Sequence, residues 1–81
     1  MFNTSPEYSR LEQFRHAVER LSARERQVFD GIIEGKTAKE IGDELGIAKR
    51  TVDVHRTHIM MQLGVKANSV LMTRLATKAG F

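Results

Sequence analysis

The sequence contains no cysteine, no tryptophan and only one proline among its 81 residues. Without cysteine, neither a disulfide framework nor a thiolate zinc site can stabilise the chain, and a reducing compartment is expected. No apolar run approaches the roughly 20 residues that span a bilayer. The first ten residues also lack the basic and apolar segments of a secretory signal. We therefore expect one small, soluble, cytoplasmic domain that is stabilised by helix packing.

Motifs of enzyme active sites are missing as well. The chain has no glycine-rich phosphate loop and no nucleophile elbow, and helix capping explains the candidate nucleophile Ser22. His55 and His58 lie three residues apart in one predicted helix, but no cysteine or suitable third ligand accompanies them. The chain is predicted to be neither an enzyme nor a holder of a metal or another cofactor.

Hydrophobic periodicity predicts helices throughout, and no alternating run of β-forming residues is present. The predicted fold class is all-α, a small bundle of four helices with an extra N-terminal helix. The helices, with their caps, are expected at about 6–20, 22–35, 37–46, 49–63 and 67–78. Residues 1–20 are either a fifth element or the end of a linker, and 21–81 form the predicted domain.

Helix boundaries are marked by capping residues. Ser5 before the proline suits an N-cap, and Ser22 with Glu25 forms a capping box that opens the second helix. Thr37 with Glu40 forms a second box. Glycines follow the last periodic residues of four predicted helices, where a left-handed cap is common.

Residues 38–63 have the pattern of a helix-turn-helix. Two short helices meet at Gly46, where the chain must turn sharply, and Gly42 is small where the helices would cross. Apolar residues, including Ile41 and Val52, are spaced to pack the pair together. In this motif the second helix lies in the DNA major groove. The pattern therefore predicts binding to double-stranded DNA through helix 49–63.

The charge is unevenly distributed. Residues 1–35 carry five Lys/Arg and six Asp/Glu, a net charge of −1, whereas residues 36–81 carry eight and four, a net charge of +4. A basic surface that is merely solvated would explain the excess equally well. Its position on the predicted groove-binding helix, however, favours attraction to phosphates.

Three residues of helix 49–63 are candidates for contacts with bases. Val54 is an apolar residue on a polar face, as expected of a contact with a thymine methyl group, although an ordinary surface valine is the alternative. Asp53 either accepts a hydrogen bond from a cytosine amino group or merely favours the positive end of the helix dipole. Thr57 reaches either a base edge or a phosphate.

Contacts with the DNA backbone are expected mainly from basic and hydroxyl side chains around the two helices. Such contacts fix the register on DNA without reading its sequence. We expect His55 to be half-buried, with one ring nitrogen free for a phosphate. The candidates are Thr37, Lys39, Lys49, Arg50, Thr51, His55, Arg56, His58 and Lys66.

The last predicted helix, 67–78, has an apolar face that is expected to be incompletely covered. A homodimer through this helix would place two recognition helices on a palindromic site, and packing within one monomer is the alternative. Met60, Met61 and Met72 are read as core-filling residues, the last also lying beside the predicted interface. The predicted interface residues are Leu71, Met72, Leu75 and Lys78.

From Leu21 to Phe81 the chain resembles the LuxR-type DNA-binding domain, most closely the effector domain of FixJ/NarL response regulators. The matching segments are LSARERQVF (21–29), EGKTAKEIGDELGI (34–47), TVDVHRTHIMMQL (51–63) and LATKAGF (75–81). The resemblance implies a four-helix domain whose third helix, here 49–63, reads DNA. It also implies a bacterial transcription regulator, often an activator that touches RNA polymerase.

The family's base-reading positions fall on Asp53, Val54 and Thr57 by this resemblance, and its backbone-contacting positions fall within the set given above. The chain departs from the family pattern at Ala38, Ala48 and Asn68. Ala48 stands where a serine is usual, so a cap or phosphate contact is lost.

Two other functions are compatible with parts of the sequence. A sigma-factor promoter-binding module shares the L-S-x-R-E-R and E-I-G-x-x-L-G-I segments, but the further helix 67–78 favours the LuxR type. A helical adaptor that binds only protein would leave the basic face with Val54 unexplained. Nothing in the sequence supplies the phosphoacceptor domain of full-length response regulators. Residues 1–20 are therefore either the end of a linker or part of a short stand-alone member.

Overall fold

The computed structural model describes residues 6–66 and 69–81, and in these ranges the chain forms α-helices and no strand. The helices are α1 (Pro6–Glu19), α2 (Ala23–Ile33), α3 (Ala38–Leu45), α4 (Lys49–Leu63) and α5 (Ser69–Lys78). The predicted all-α class is confirmed, and the observed bounds agree with the predicted ones within a few residues. The predicted N-cap at Ser5, the predicted helix start at Ala67 and the departure at Asn68 lie outside the described residues.

Both predicted capping boxes are present. The Ser22 hydroxyl accepts a hydrogen bond from the Glu25 N–H at 3.1 Å, and the Glu25 carboxylate accepts one from the Ser22 N–H at 3.0 Å. Thr37 and Glu40 make the same reciprocal pair at 3.1 and 2.8 Å. These bonds satisfy backbone donors that have no partner within the helix, so they fix where α2 and α3 begin.

The core lies where α4 packs against the other four helices. Helix α4 contributes Val52, Ile59 and Leu63, as its periodicity predicts, and all three are buried. The largest fully buried side chains of the described part come from every helix except α3 and from the segment after α4. They are Val18, Val28, Phe29, Val52, Ile59, Val65 and Met72.

Helix α1 packs into this same core. Phe14 is 2% exposed, and its ring centroid lies 6.2 Å from those of both Phe29 in α2 and the C-terminal Phe81. Nη1 of Arg15 donates a hydrogen bond to the Ala79 carbonyl oxygen at 3.1 Å, just beyond α5. The division predicted at residue 20 therefore does not separate two hydrophobic cores.

Helix α5 presents a different face to solvent from the one expected. Met72 is fully buried and Leu75 is 8% exposed, so neither belongs to an open dimer surface, and this part of the prediction is wrong. Leu71 is half-buried at the edge of the core. The physical reason is that α1, α2 and α4 all pack against α5, and this packing buries Met72 and Leu75. Val70, on the open side of the same helix, is 69% exposed.

Candidate nucleic-acid interface

The turn between α3 and α4 is built around two glycines. Gly46 caps α3 in the left-handed conformation, with φ at 71°, and its N–H donates to the Gly42 carbonyl oxygen. The Ile47 N–H donates to the same oxygen at 3.0 Å. A Cβ atom on Gly42 would also come within 3.5 Å of the Lys49 nitrogen, so α4 starts very close to α3. This close turn fixes the angle between the two helices.

Helix α4 has one buried side and one open side. Val52, Ile59, Met60 and Leu63 face the core. The opposite side carries residues spaced by three or four positions, which places them in one line along the helix. This outward row consists of Arg50, Val54, Thr57 and Met61, all of them exposed.

Two members of the outward row are large apolar side chains. Val54 is 51% exposed and Met61 is 72% exposed. Their positions lie about 10 Å apart along the helix axis, given a rise of 1.5 Å per residue. The exposure of Met61 contradicts its interpretation as a core residue, whereas Met60 and Met72 are buried as expected. In the sequence, the exposure of Met61 is indicated only by its position around the helix, opposite Ile59 and Leu63.

The three predicted base-reading residues lie on or beside this row. Asp53 is partly exposed, and its Oδ2 lies 3.2 Å from Nζ of Lys49 one turn earlier. The Thr57 hydroxyl donates a hydrogen bond to the Asp53 carbonyl oxygen at 3.1 Å. Thr57 therefore presents its methyl group and its oxygen lone pairs to an approaching molecule, because its proton is engaged by the helix backbone.

The N-termini of α3 and α4 differ. At α3 the Thr37 hydroxyl is engaged in the capping box, and the hydrogen bonds from Thr37 hold the pKa of the Glu40 carboxyl below its usual 4.5. At α4 the N-cap is Ala48, which makes no side-chain hydrogen bond. The lost cap inferred from the sequence is therefore confirmed, and the first N–H groups of α4 lack a side-chain acceptor. Such groups attract phosphates.

Several of the basic candidates are paired with carboxylates. Lys39 lies 3.4 Å from Asp43, and Lys49 pairs with Asp53 as described. In both pairs the two residues are four positions apart in one helix, a spacing from which an ion pair can be predicted. These pairs are highly exposed, so each contributes little to stability.

Lys36, just before α3, lies between two glutamates. Its ammonium group is 3.0 Å from the Glu44 carboxylate and 3.7 Å from that of Glu34. The hydrogen bond with Glu44 raises the pKa of Lys36 above its usual 10.5. Because Glu44 lies eight residues away on another helix, no local spacing rule could have found this pair.

The remaining backbone candidates lie in α4 or just after it. His55 is half-buried, as predicted, and so is Arg56, while the rest are exposed. Lys66, just after α4, is the only described residue other than glycine with a positive φ, at 48°. The exposed members of this group are Arg50, Thr51, His58 and Lys66.

The described residues contain no group of three or more His, Asp or Glu side chains that could hold a metal ion. No helix in residues 6–66 or 69–81 is long and apolar enough to cross a membrane.

Helices α3 and α4 are joined by a short turn, and the open side of α4 lies among basic residues. This is the arrangement of a helix-turn-helix DNA-binding protein. The family model described as "Bacterial regulatory proteins, luxR family" matches residues 19–75. The chain belongs to this family, and it carries the sequence-specific DNA-binding domain of a transcription regulator. The match decides against the sigma-factor module and the protein-only adaptor.

Curated relatives agree with this assignment. The chain is 44% identical over 55 residues to the spore germination protein GerE of Bacillus subtilis, an alignment that covers 68% of this chain and 74% of GerE. It has the same identity over 55 residues to the transcriptional regulatory protein UhpA of Escherichia coli, covering 68% of this chain and 28% of UhpA. It is 39% identical over 67 residues to the transcriptional regulatory protein FixJ of Rhizobium meliloti, covering 83% of this chain and 32% of FixJ.

The chain therefore spans about three-quarters of the length of GerE but less than a third of UhpA and of FixJ. No solved structure gives a significant match to the chain.

Proposed function

We propose that α4 enters the major groove of DNA and reads base edges through Asp53, Val54 and Thr57. The observation that carries this proposal is the exposure of Val54, 51%, on the open side of a helix whose opposite side is buried in the core. Recognition helices of this motif contact bases with their N-terminal residues, and all three side chains lie in the first nine residues of α4.

The chemistry of these side chains favours pyrimidines. Val54 offers an apolar contact for the methyl group of thymine, and Asp53 offers an acceptor for the amino group of cytosine. Thr57, with its proton engaged by its own helix, offers a methyl group and an acceptor. If Asp53 only interacts with the helix dipole, its replacement should not change which bases are preferred. Measured base preference therefore distinguishes the two roles of Asp53.

Phosphate contacts would position this reading surface. The N–H groups at the start of α4, which have no side-chain cap, and the exposed Arg50 would contact phosphates of one DNA strand. The other proposed contacts are Thr37, Lys39, Thr51, His55, Arg56, His58 and Lys66, while Lys49 is paired with Asp53. Thr37 would act through its oxygen while it caps α3, and Lys39 would exchange the carboxylate of Asp43 for a phosphate.

A homodimer through α5 is part of the proposal, with a corrected surface. Leu71 and Lys78 remain at the edge of the predicted interface, while the buried Met72 and Leu75 leave it. The exposed side of α5 is instead formed by Val70, Thr73, Arg74, Thr77 and Lys78. A twofold axis through this side would place two copies of α4 on a palindromic site about one helical turn apart.

At the level of the whole protein, we propose a bacterial transcription regulator that acts in the cytoplasm, where chromosomal DNA is found. Contact with RNA polymerase and activation follow from the family resemblance, and no catalytic step is proposed.

Selection of bound sequences from a random duplex pool tests the proposal directly. We expect enrichment of a twofold-symmetric site, with pyrimidines at the contacted positions of each half. Binding without any enriched sequence would contradict base reading by α4. An enriched site without symmetry would contradict the dimer but not the reading surface.

A further inference from the structure

Asp53 is the only acidic residue in α4, and no Asp or Glu follows it in the remaining sequence to residue 81. It thus interrupts a segment that is otherwise neutral or basic, at a position proposed to face a polyanion. A carboxylate there weakens binding to any DNA unless its charge is compensated. Compensation is present in the free protein, since Lys49 Nζ lies 3.2 Å from Asp53 Oδ2.

The pair contributes little to folding. The Lys49 and Asp53 side chains are 64% and 46% exposed, and exposed pairs at this spacing are weakly stabilising. Its consequence lies in binding. An ammonium held on a carboxylate is not available to neutralise a phosphate, so the two residues together add almost no sequence-independent attraction.

We infer that Lys49 and Asp53 form a specificity device on the reading surface. Lys49 is a positioning residue that holds Oδ2, which leaves Oδ1 as the acceptor for a cytosine amino group. This inference rests on the proposed function of α4. Guanine and thymine present acceptor atoms in the major groove, which repel the carboxylate, and adenine places the N7 acceptor beside its amino group, so cytosine is the base that suits Asp53 best.

The device works by lowering affinity for wrong sequences more than for the right one. On unrelated DNA the pair remains closed, so Lys49 contributes no counterion release. On a site with cytosine opposite Asp53, the hydrogen bond compensates the loss. Discrimination between sequences therefore comes from a repulsive element as well as an attractive one.

Single variants test this on two duplexes, the selected site and an unrelated sequence, with salt varied between about 50 and 200 mM. Removing the carboxylate by Asp53→Asn frees Lys49 for a phosphate. The slope of log affinity against log salt on unrelated DNA should steepen by about 0.9, because one more phosphate is neutralised. Over this salt range that corresponds to a roughly threefold change in affinity, and the preference for cytosine should weaken, because asparagine offers a neutral acceptor and a donor in place of the carboxylate.

The matched control is Asp43→Asn, which breaks the other exposed lysine–aspartate pair with the same spacing, on α3. It removes the same charge and should change affinity for both duplexes alike, so that the ratio of the two affinities is preserved. If Asp43→Asn lowers that ratio as much as Asp53→Asn, a general charge effect replaces the specificity device.

Lys49→Ala, made in both the wild-type and the Asp53→Asn background, tests the pairing itself. In the wild type we expect weaker binding to both duplexes, because Asp53 loses its compensating charge, but only a small change of the slope on unrelated DNA, because no phosphate contact is lost. In the Asp53→Asn background the same change should reduce that slope by about 0.9. Equal reductions in both backgrounds would mean that Lys49 already binds phosphate, and would overturn the inference.

The slopes of log affinity against log salt are measured on unrelated DNA, so they test the pairing of Lys49 with Asp53 even if the protein has no preferred site. Failure to bind any duplex would overturn the proposed function and the inference together. If the protein prefers the selected site but Lys49→Ala reduces the slope equally in both backgrounds, the inference is overturned and the proposed function stands.

Discussion

A Cβ atom built on Gly42 would lie 2.6 Å from the carbonyl oxygen of Ile47, in the turn that joins α3 to α4. The obstacle is backbone, which cannot rotate away as a side chain can. Gly42→Ala should therefore force α3 and α4 apart. We expect a loss of about 2 kcal/mol in the free energy of unfolding, measured in urea, although alanine normally stabilises a helix interior.

The control for this prediction is Gly46→Ala in the same turn. Gly46 has φ at 71°, but a Cβ there would meet no atom within 4 Å. Only the backbone conformation should cost free energy, about 1 kcal/mol. Gly42→Ala should also weaken DNA binding in the folded fraction. A smaller effect than that of Gly46→Ala would show that the helices do not approach as closely as described.

Replacement of Phe14 tests whether α1 is part of the folding unit. Phe14 is 2% exposed and packs against the rings of Phe29 and Phe81, so Phe14→Ala should cost about 3–5 kcal/mol. For a domain of this size, such a loss would unfold much of the protein. Gln13→Ala, one residue earlier and exposed, is the control and should change the unfolding midpoint little. An equally small effect at Phe14 would make α1 a linker.

The helices were largely predictable because their ends are marked locally. Ser22 with Glu25, and Thr37 with Glu40, are reciprocal caps that depend only on residues three positions apart. The buried row of α4 was predictable for the same reason, since its period is set by the helix itself. Local chemistry therefore gives the elements and the orientation of the reading helix.

Features that depend on packing between helices were not predictable in the same way. Which side of α5 stays open depends on how α1, α2 and α4 pack against it, and this packing leaves Met72 buried and Val70 exposed. The engagement of Lys36 by Glu44 likewise needs the folded chain. At the site, the exposed positions of α4 follow from its periodicity. The spacing of Lys49 and Asp53 allows an ion pair, but only the folded chain shows that the pair forms.

The capping box of α3 should make part of the stability depend on acid pH. Hydrogen bonds from Thr37 lower the pKa of Glu40 below 4.5, so the folded state favours the ionised carboxylate. A lowered pKa contributes stability above the unfolded pKa, and this is lost as the pH falls through the folded pKa. Stability should therefore decline below about pH 4.5, with a contribution from Glu40.

Glu40→Gln isolates that contribution, because glutamine can still accept the bond from the Thr37 N–H but does not titrate near pH 4. Thermal unfolding of both proteins between about pH 6 and pH 3 gives the comparison. The wild type should be more stable at the higher pH, and the difference should shrink as the pH is lowered. A difference that stays constant over the range would exclude Glu40 as a source of the pH dependence.

Val54→Glu tests the reading face of α4. Val54 is half-exposed, so the change should leave the fold intact while it places a second carboxylate beside Asp53. We expect affinity for a selected half-site to fall about 10- to 100-fold, because the new charge meets phosphates and base acceptors. Val70→Glu is the control, since Val70 is at least as exposed but lies on α5. Equal losses from both changes would remove Val54 from the reading surface.

Val70→Lys separates the dimer from binding by a single copy. In a twofold interface each copy presents the same patch, so the change would add two charges beside Arg74 and Lys78, which lie on the same side of α5. The same cation should leave half-site binding unchanged or slightly tighter, because it is attracted to DNA. We therefore expect the advantage of a paired site over a half-site to fall several-fold, measured by titration of both duplexes. An advantage that survives Val70→Lys would place the contact between copies elsewhere, because like charges cannot be brought together at the centre of an interface without this loss.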